Sequence, residues 1–153
     1  STLMRSSAAS DVYKRQLYTM TQTDDLLRKL YDQLRNSGSS FSLVYFSDHG
    51  LAFKERGKDV QYLAHDDKYQ QNFQVPFMVI SSDDKAHRVI KARRSANDFL
   101  GFFSQWTGIK AKEINIKYPF ISEKKAGPIY ITNFQLQKVD YNHLGTDIFD
   151  PKP

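Results

Sequence analysis

The stretch SLVYFSDHG, residues 42–50, decides how the chain is expected to fold. Residues 41–46 form a short apolar run rich in aromatic and β-branched side chains, which predicts a strand buried on both faces. A helix predicted over residues 21–36, with Thr21 and Asp24 approximating a capping box at its start, precedes this run. A polar turn containing Gly38 separates the two. Helix, turn and buried strand in this order are one step of an α/β pattern, so the predicted fold class is α/β.

The strand runs directly into Asp48 and His49, which are candidate metal ligands. Ligands of open α/β sheets bind at the carboxyl ends of the strands, and two adjacent side chains can converge there once the backbone turns. We expect Gly50 to supply the conformational freedom for that turn. A carboxylate oxygen and an imidazole nitrogen both suit zinc or another divalent cation. The same residues also make an ordinary solvated turn, so the pattern alone leaves both interpretations open.

The remainder of the chain supplies further predicted elements. Residues 51–74 are polar with little periodicity and are predicted to be a long loop, and loops of this length are often functional. His65 lies near the end of this loop. A buried strand is predicted at 75–80, and short strands are predicted at 112–117 and 129–134. Between them, a helix is predicted to be capped by Ser95 and to end at Gly108. The apolar stripe of this helix, which is expected to face the core, consists of Phe99, Phe102, Phe103 and Trp106.

Several polar residues elsewhere are predicted to be solvated and without a catalytic role. The adjacent acids Asp66 and Asp67 lie in polar sequence, as do Asp83 and Asp84, and we expect all four to face water. His87 and His143 are also expected to be surface residues.

Composition narrows the classes of function. The chain has 153 residues, 40% of them hydrophobic, which fits a single globular domain. It contains no cysteine, so it can form neither a disulfide nor a thiolate metal site. The formal charge is +5, but its basic clusters are short and lack interleaved aromatic residues, so we expect no nucleic-acid partner. A weak attraction to anionic membrane headgroups fits this charge better.

Residues 1–16, STLMRSSAASDVYKRQ, differ from the rest of the chain. They show no sustained periodicity and resemble linker-derived sequence. We expect them to be non-native or disordered, and we expect residues 17–153 to form the folded part.

The order of these segments resembles one superfamily. A helix, SLVYFSDHG, a polar loop, AHDDKYQQNFQVPFMVI and SANDFLGFFSQWTGI together resemble the C-terminal half of the sulfatase/alkaline-phosphatase catalytic domain, and most closely the phosphoethanolamine transferases of Gram-negative envelopes. The resemblance implies a partial sulfatase-like α/β sandwich with a mixed central sheet flanked by helices. It also implies that Asp48 and His49 bind catalytic zinc and that His65 lies on the substrate-phosphate side.

The resemblance implies an activity for the whole enzyme. A phosphoethanolamine group would pass from phosphatidylethanolamine to a Thr nucleophile upstream of this stretch, and then to an envelope glycolipid or glycan such as lipid A. The enzyme would act at the periplasmic face of the inner membrane, anchored by upstream helices. Two alternatives stay open: a sulfatase-type or phosphodiester hydrolase with water as acceptor, and a fragment without catalytic activity.

Overall fold

A computed structural model describes residues 2–56 and 60–146 of the chain. Helices, strands and three short 3₁₀ segments alternate along it. The helices are α1 (Thr2–Asn36) and α2 (Phe99–Thr107), the strands are β1 (Ser42–Phe46), β2 (Ala52–Arg56), β3 (Val60–Ala64), β4 (Phe77–Ser81), β5 (Tyr130–Thr132) and β6 (Lys138–Asp140), and the 3₁₀ segments are Gln70–Phe73, Ala96–Asp98 and Tyr141–His143.

The strands of the described residues form three separate two-stranded antiparallel sheets, β1–β4, β2–β3 and β5–β6. Together with the helices, these small sheets agree with the expected partial α/β fold. The strand pairs are antiparallel where a mixed sheet was expected. In β1–β4, Phe46 pairs with Phe77 and Ser42 with Ser81, so the two ends of β1 lie beside opposite ends of β4.

The prediction that β1 is buried on both faces is wrong. Its central residues are half-buried, and Ser42 and Phe46 at its ends are exposed. The physical reason is that β1 has one neighbouring strand, β4, among the described residues. Aromatic content predicted the strand correctly, but it overestimated how much of the strand is covered.

The predicted loop over residues 51–74 is also wrong in its first half. Residues 52–64 contain the hairpin β2–β3, in which Ala52 pairs with Ala64 and Phe53 with Leu63. The 3₁₀ segment Gln70–Phe73 then leads to β4. An antiparallel pair of strands needs only one apolar face, so its other face can carry polar side chains. The polar side chains of this region therefore favoured a loop over a hairpin in the sequence.

The helix predicted over residues 21–36 ends as expected but begins much earlier. Thr21 does not cap it: its Oγ1 donates to the carbonyl of Tyr18 within the helix, which starts at Thr2. At the other end Gly38 has a φ of +71°, and its N–H donates to the carbonyl of Arg35. Most side chains of residues 1–16 lie outside the described part, so their foreign origin stays a prediction.

The chain divides into two compact units, Ser1–Lys85 with Gly145–Pro153, and Ala86–Leu144, where a single domain was expected. The first unit buries Ala52 and Phe53 of β2. The second buries Phe102 of α2, Phe120 and Tyr141. Each unit therefore has its own small apolar centre.

In the second unit the helix prediction holds, with one correction. Ser95 accepts a hydrogen bond from the N–H of Asn97, and α2 ends at Gly108, whose φ is +75°. Phe102 is buried, but Phe103 and Trp106 are exposed, so the predicted core stripe is only partly core. The strand expected at 112–117 is absent, whereas β5 lies within the predicted 129–134.

Across the described residues, no helix combines the length and the apolar character needed to cross a membrane.

Candidate metal and phosphate site

Asp48 and His49 lie just beyond the end of β1, where a local set of hydrogen bonds fixes them. The backbone N–H of His49 donates to Asp48 Oδ1 over 3.0 Å, and the Ser47 hydroxyl donates to the carbonyl of His49 over 2.9 Å. The N–H of His49 and the nearby His49 ring hold the pKa of Asp48 below its usual range. The carboxyl group is exposed and stays ionised, as a metal ligand must be.

The His49 ring is oriented by the next residue. Its Nδ1 lies 2.8 Å from the carbonyl oxygen of Gly50, which can only accept, so Nδ1 carries a proton and Nε2 is the ring nitrogen left for a metal ion. Metal-binding histidines commonly have such an outer-shell acceptor. Nε2 lies 3.9 Å from Asp48 Oδ2. Two ligands of one tetrahedral zinc lie about 3.3 Å apart, so a small rotation would let this pair share an ion.

His65 reaches the same place through the hairpin. Because Ala52 pairs with Ala64, the chain that leaves the strand end at Gly50 returns beside it at His65. The rings of His49 and His65 stack with their centroids 4.2 Å apart and their planes 24° from parallel. The structure therefore brings His65 beside His49, while the roles assigned to these residues stay predictions.

The stacked arrangement of the two imidazole rings does not suit them to bind the same metal ion. An imidazole binds a metal ion in the plane of its ring, and the planes of two stacked, near-parallel rings do not meet close to the rings. One ion bound by Nε2 of His49 would therefore not have His65 in its ligand set without a change of ring orientation. Within residues 2–56 and 60–146, no three His, Asp or Glu side chains are grouped to hold a metal ion. Asp48 and His49 thus fit the donor chemistry of half a zinc site.

An ion pair supports the backbone just after His65. Asp66 forms a salt bridge with Lys54 of β2, and its Oδ1 accepts from the N–H of Lys68. The Lys54 ammonium also lies 4.2 Å from the ring centre of Tyr69. The prediction that Asp66 is simply solvated is therefore wrong, because this acid has a specific partner across the hairpin. Asp83 and Asp84, as well as His87 and His143, are exposed as predicted.

Gly50 is required here for a reason other than the one expected. Among the described glycines only Gly38 and Gly108 have a positive φ, so the turn at Gly50 does not need left-handed backbone. Instead, a Cβ at this position would lie well inside 3.0 Å of two backbone oxygens, those of Gln71 and Gln74. Glycine allows the 3₁₀ segment Gln70–Phe73 to pack directly on the strand end.

Asn72 is a residue of the site that sequence reasoning missed. It is 1% exposed, and its backbone carbonyl accepts from the N–H of Gly50 over 2.8 Å. Its side-chain Oδ1 accepts from the N–H of Asp66 over 3.0 Å. Nothing in the polar string YQQNFQ distinguishes this asparagine from its neighbours, because its partners are distant in sequence.

Comparison with known proteins finds a relative that is similar over a short stretch of the chain. A Haemophilus influenzae protein named "Putative phosphoethanolamine transferase" is 35% identical over 48 residues, which are 29% of this chain and 10% of that protein. The chain therefore spans about a tenth of the length of this relative. No solved structure matches the chain.

The matched family covers both the site and most of the described elements. The sequence model of the Sulfatase family matches residues 3–109, which include Asp48, His49, His65 and the whole of α2. This match extends over more than half of the chain, and it confirms the sulfatase resemblance drawn from SLVYFSDHG and the Val-Pro strand. The chain belongs to the sulfatase family.

Proposed function

We propose that this chain is part of a metal-dependent phosphoethanolamine transferase that modifies an envelope glycolipid or glycan. The observation that carries the proposal is the pairing of Asp48 and His49 at the end of β1 with the His65 ring stacked beside them. Family membership and the name of the Haemophilus relative support the same reaction class. Because the chain spans a tenth of that relative, the activity is proposed for the whole protein.

Asp48 and His49 would hold zinc or another divalent cation. Asp48 supplies an ionised carboxylate, and His49 supplies Nε2 with its other nitrogen engaged by Gly50. A bound cation would lower the pKa of the nucleophile and neutralise charge on the phosphoryl group. The remaining ligands and the Thr nucleophile are assigned to other parts of the domain.

The proposed reaction has two displacement steps at phosphorus. The Thr oxygen forms a bond to the phosphorus of phosphatidylethanolamine while the bond to the diacylglycerol oxygen breaks, and diacylglycerol leaves with a proton. An acceptor hydroxyl oxygen then bonds to the same phosphorus, and the Thr oxygen leaves and regains its proton. His65, beside His49 but outside its ligand plane, would donate hydrogen bonds to the non-bridging or leaving oxygens. The whole enzyme would work at the periplasmic face of the inner membrane.

The test is mass spectrometry of lipid A and core glycans from cells that express the full-length parent. Asp48→Ala and His49→Ala should abolish phosphoethanolamine addition, whereas His65→Ala should lower it by about 10²–10³-fold, as expected for loss of one charge-stabilising donor. Asp83→Ala and His87→Ala are matched controls, since both side chains are exposed. These controls should retain wild-type modification.

Two outcomes would contradict the proposal. Wild-type modification with Asp48→Ala would show that this carboxylate does not serve the reaction. Release of free phosphoethanolamine with no modified acceptor, abolished by the same substitution, would identify a hydrolase instead.

A further inference from the structure

We propose that Asn72 is the positioning residue that holds the His49–His65 pair together; its importance for transfer rests on the function proposed above. Asn72 lies in the 3₁₀ segment Gln70–Phe73 and touches neither imidazole in any described contact. It is 1% exposed, one of the two largest fully buried side chains among the described residues.

The partners of Asn72 are the residues that directly follow the two histidines. Its backbone carbonyl receives the N–H of Gly50, one residue beyond His49. Its side-chain Oδ1 receives the N–H of Asp66, one residue beyond His65. A single buried residue therefore holds the two backbone segments that carry His49 and His65, each at the residue that follows the histidine.

The side chain, and not only the backbone, is needed for this link. The 3₁₀ segment is already placed against the strand end by Gly50, through the close approach of the Gln71 and Gln74 carbonyls. The N–H of Asp66 lies beyond the last pair of the hairpin, Ala52 with Ala64, so strand pairing does not satisfy it. An acceptor on the Asn72 side chain provides that bond within a buried setting, where a lost partner is costly.

The consequence is a fixed spacing between the rings. The His49 and His65 centroids are 4.2 Å apart, a distance that a small shift of either backbone would change. Displacement of a catalytic group by about 1 Å can cost ~10²-fold in rate. Asn72 thus sets the geometry of the site without contacting substrate.

The experiment compares Asn72→Leu, which has similar volume without the acceptor, with Asn72→Asp, which keeps an acceptor of the same shape. Asn133→Leu is the matched control: Oδ1 of Asn133 also accepts two backbone N–H groups, those of Gln135 and Gln137, but in the second unit. The first readout is the nuclear Overhauser effect between the ring protons of His49 and His65 in the 153-residue chain. The second is kcat and KM of the full-length parent.

Asn72→Leu should remove the ring-to-ring effect and lower kcat by about 10²-fold with KM little changed. Asn72→Asp should retain the effect, and Asn133→Leu should retain both the effect and kcat. A folded Asn72→Leu chain with the effect intact would overturn the proposal. If that variant does not fold, hydrogen exchange of the wild-type chain decides: the Asp66 amide should be protected, and free exchange would equally overturn it.

These readouts separate the two proposals. The ring-to-ring effect reports the position of the histidines and needs no activity. If Asp48→Ala keeps transfer but Asn72→Leu loses the effect, the proposed function fails and the positioning role stands. If Asp48→Ala abolishes transfer while Asn72→Leu changes nothing, the positioning role fails alone.

Discussion

Replacing Gly50 by alanine should destabilise the first unit more than its single methyl group suggests. A Cβ built at Gly50 lies 2.5 Å from the carbonyl oxygen of Gln74 and closer still to that of Gln71. Cβ atoms in proteins almost never come within 3.0 Å of a heavy atom from a residue that is not adjacent in the chain. Both obstacles are backbone atoms, which cannot swing aside as a long side chain can. The 3₁₀ segment Gln70–Phe73 must therefore move away from the strand end.

The expected cost follows from the contacts that would change. Overpacking of a closely packed site typically costs about 1–3 kcal/mol. The hydrogen bond from Gly50 N–H to the Asn72 carbonyl, 2.8 Å long, would lengthen, and such a bond contributes about 1 kcal/mol. Alanine restricts the unfolded chain and returns about 0.4–1 kcal/mol. The net loss for Gly50→Ala should thus be about 1–3.5 kcal/mol.

Gly127→Ala is the matched control, because its Cβ would meet nothing within 4 Å and its φ is not positive. It should be neutral or stabilising by up to about 1 kcal/mol. Urea denaturation gives the free energy of unfolding, and amide hydrogen exchange reads the two units separately. If Gly50→Ala were no less stable than Gly127→Ala, glycine at position 50 would not be explained by close backbone approach.

Two further predictions concern pH. Burial raises the pKa of Asp66, but the Lys54 ammonium outweighs this effect and holds that pKa below its usual value. The ion pair therefore stabilises the fold at pH values above the carboxyl pKa of the unfolded chain, and this contribution is lost as pH falls through the lower pKa of the folded state. Asp66→Asn should lower the free energy of unfolding by about 1–2 kcal/mol at neutral pH. It should also weaken the fall of the urea unfolding midpoint as pH is lowered, and an unchanged fall at acid pH would contradict this. Burial, followed by a hydrogen bond to Asp98, raises the pKa of Tyr118 to about 12. The neutral phenol therefore stabilises the second unit at pH values below the ordinary tyrosine pKa, and this contribution is lost as pH rises through the pKa of the folded state. Absorbance titration should show one late phenolate that Tyr118→Phe removes; full ionisation of every tyrosine near the ordinary pKa would refute it.

The elements predicted correctly are those whose signals are local. The aromatic and β-branched run before Asp48 predicted β1, and the Val-Pro run predicted the region of β4. Ser95 and Gly108 bound a helical segment because capping and left-handed termination depend on the residue itself. The start of α1 was misplaced because Thr21 matches a capping pattern but makes its hydrogen bond within the helix.

The hairpin was missed although its signal was present. Two five-residue runs, 52–56 and 60–64, flank three residues that include Gly57, a spacing typical of hairpins. Lysine, glutamate and arginine in the first run suggested a loop. An antiparallel pair with one solvated face tolerates such residues, so polarity was the weaker criterion.

The two parts of the candidate site differ in how far sequence can determine them. Asp48, His49 and Gly50 are consecutive, and their mutual hydrogen bonds, from the His49 N–H to Asp48 and from the His49 ring to the Gly50 carbonyl, join neighbours in the chain. This half can therefore be inferred from a string at the end of a strand. His65 joins it only because β2 pairs with β3 and a buried asparagine links the two ends. The ligand pair is thus a local property of the sequence, whereas the placement of the second histidine is a property of the fold.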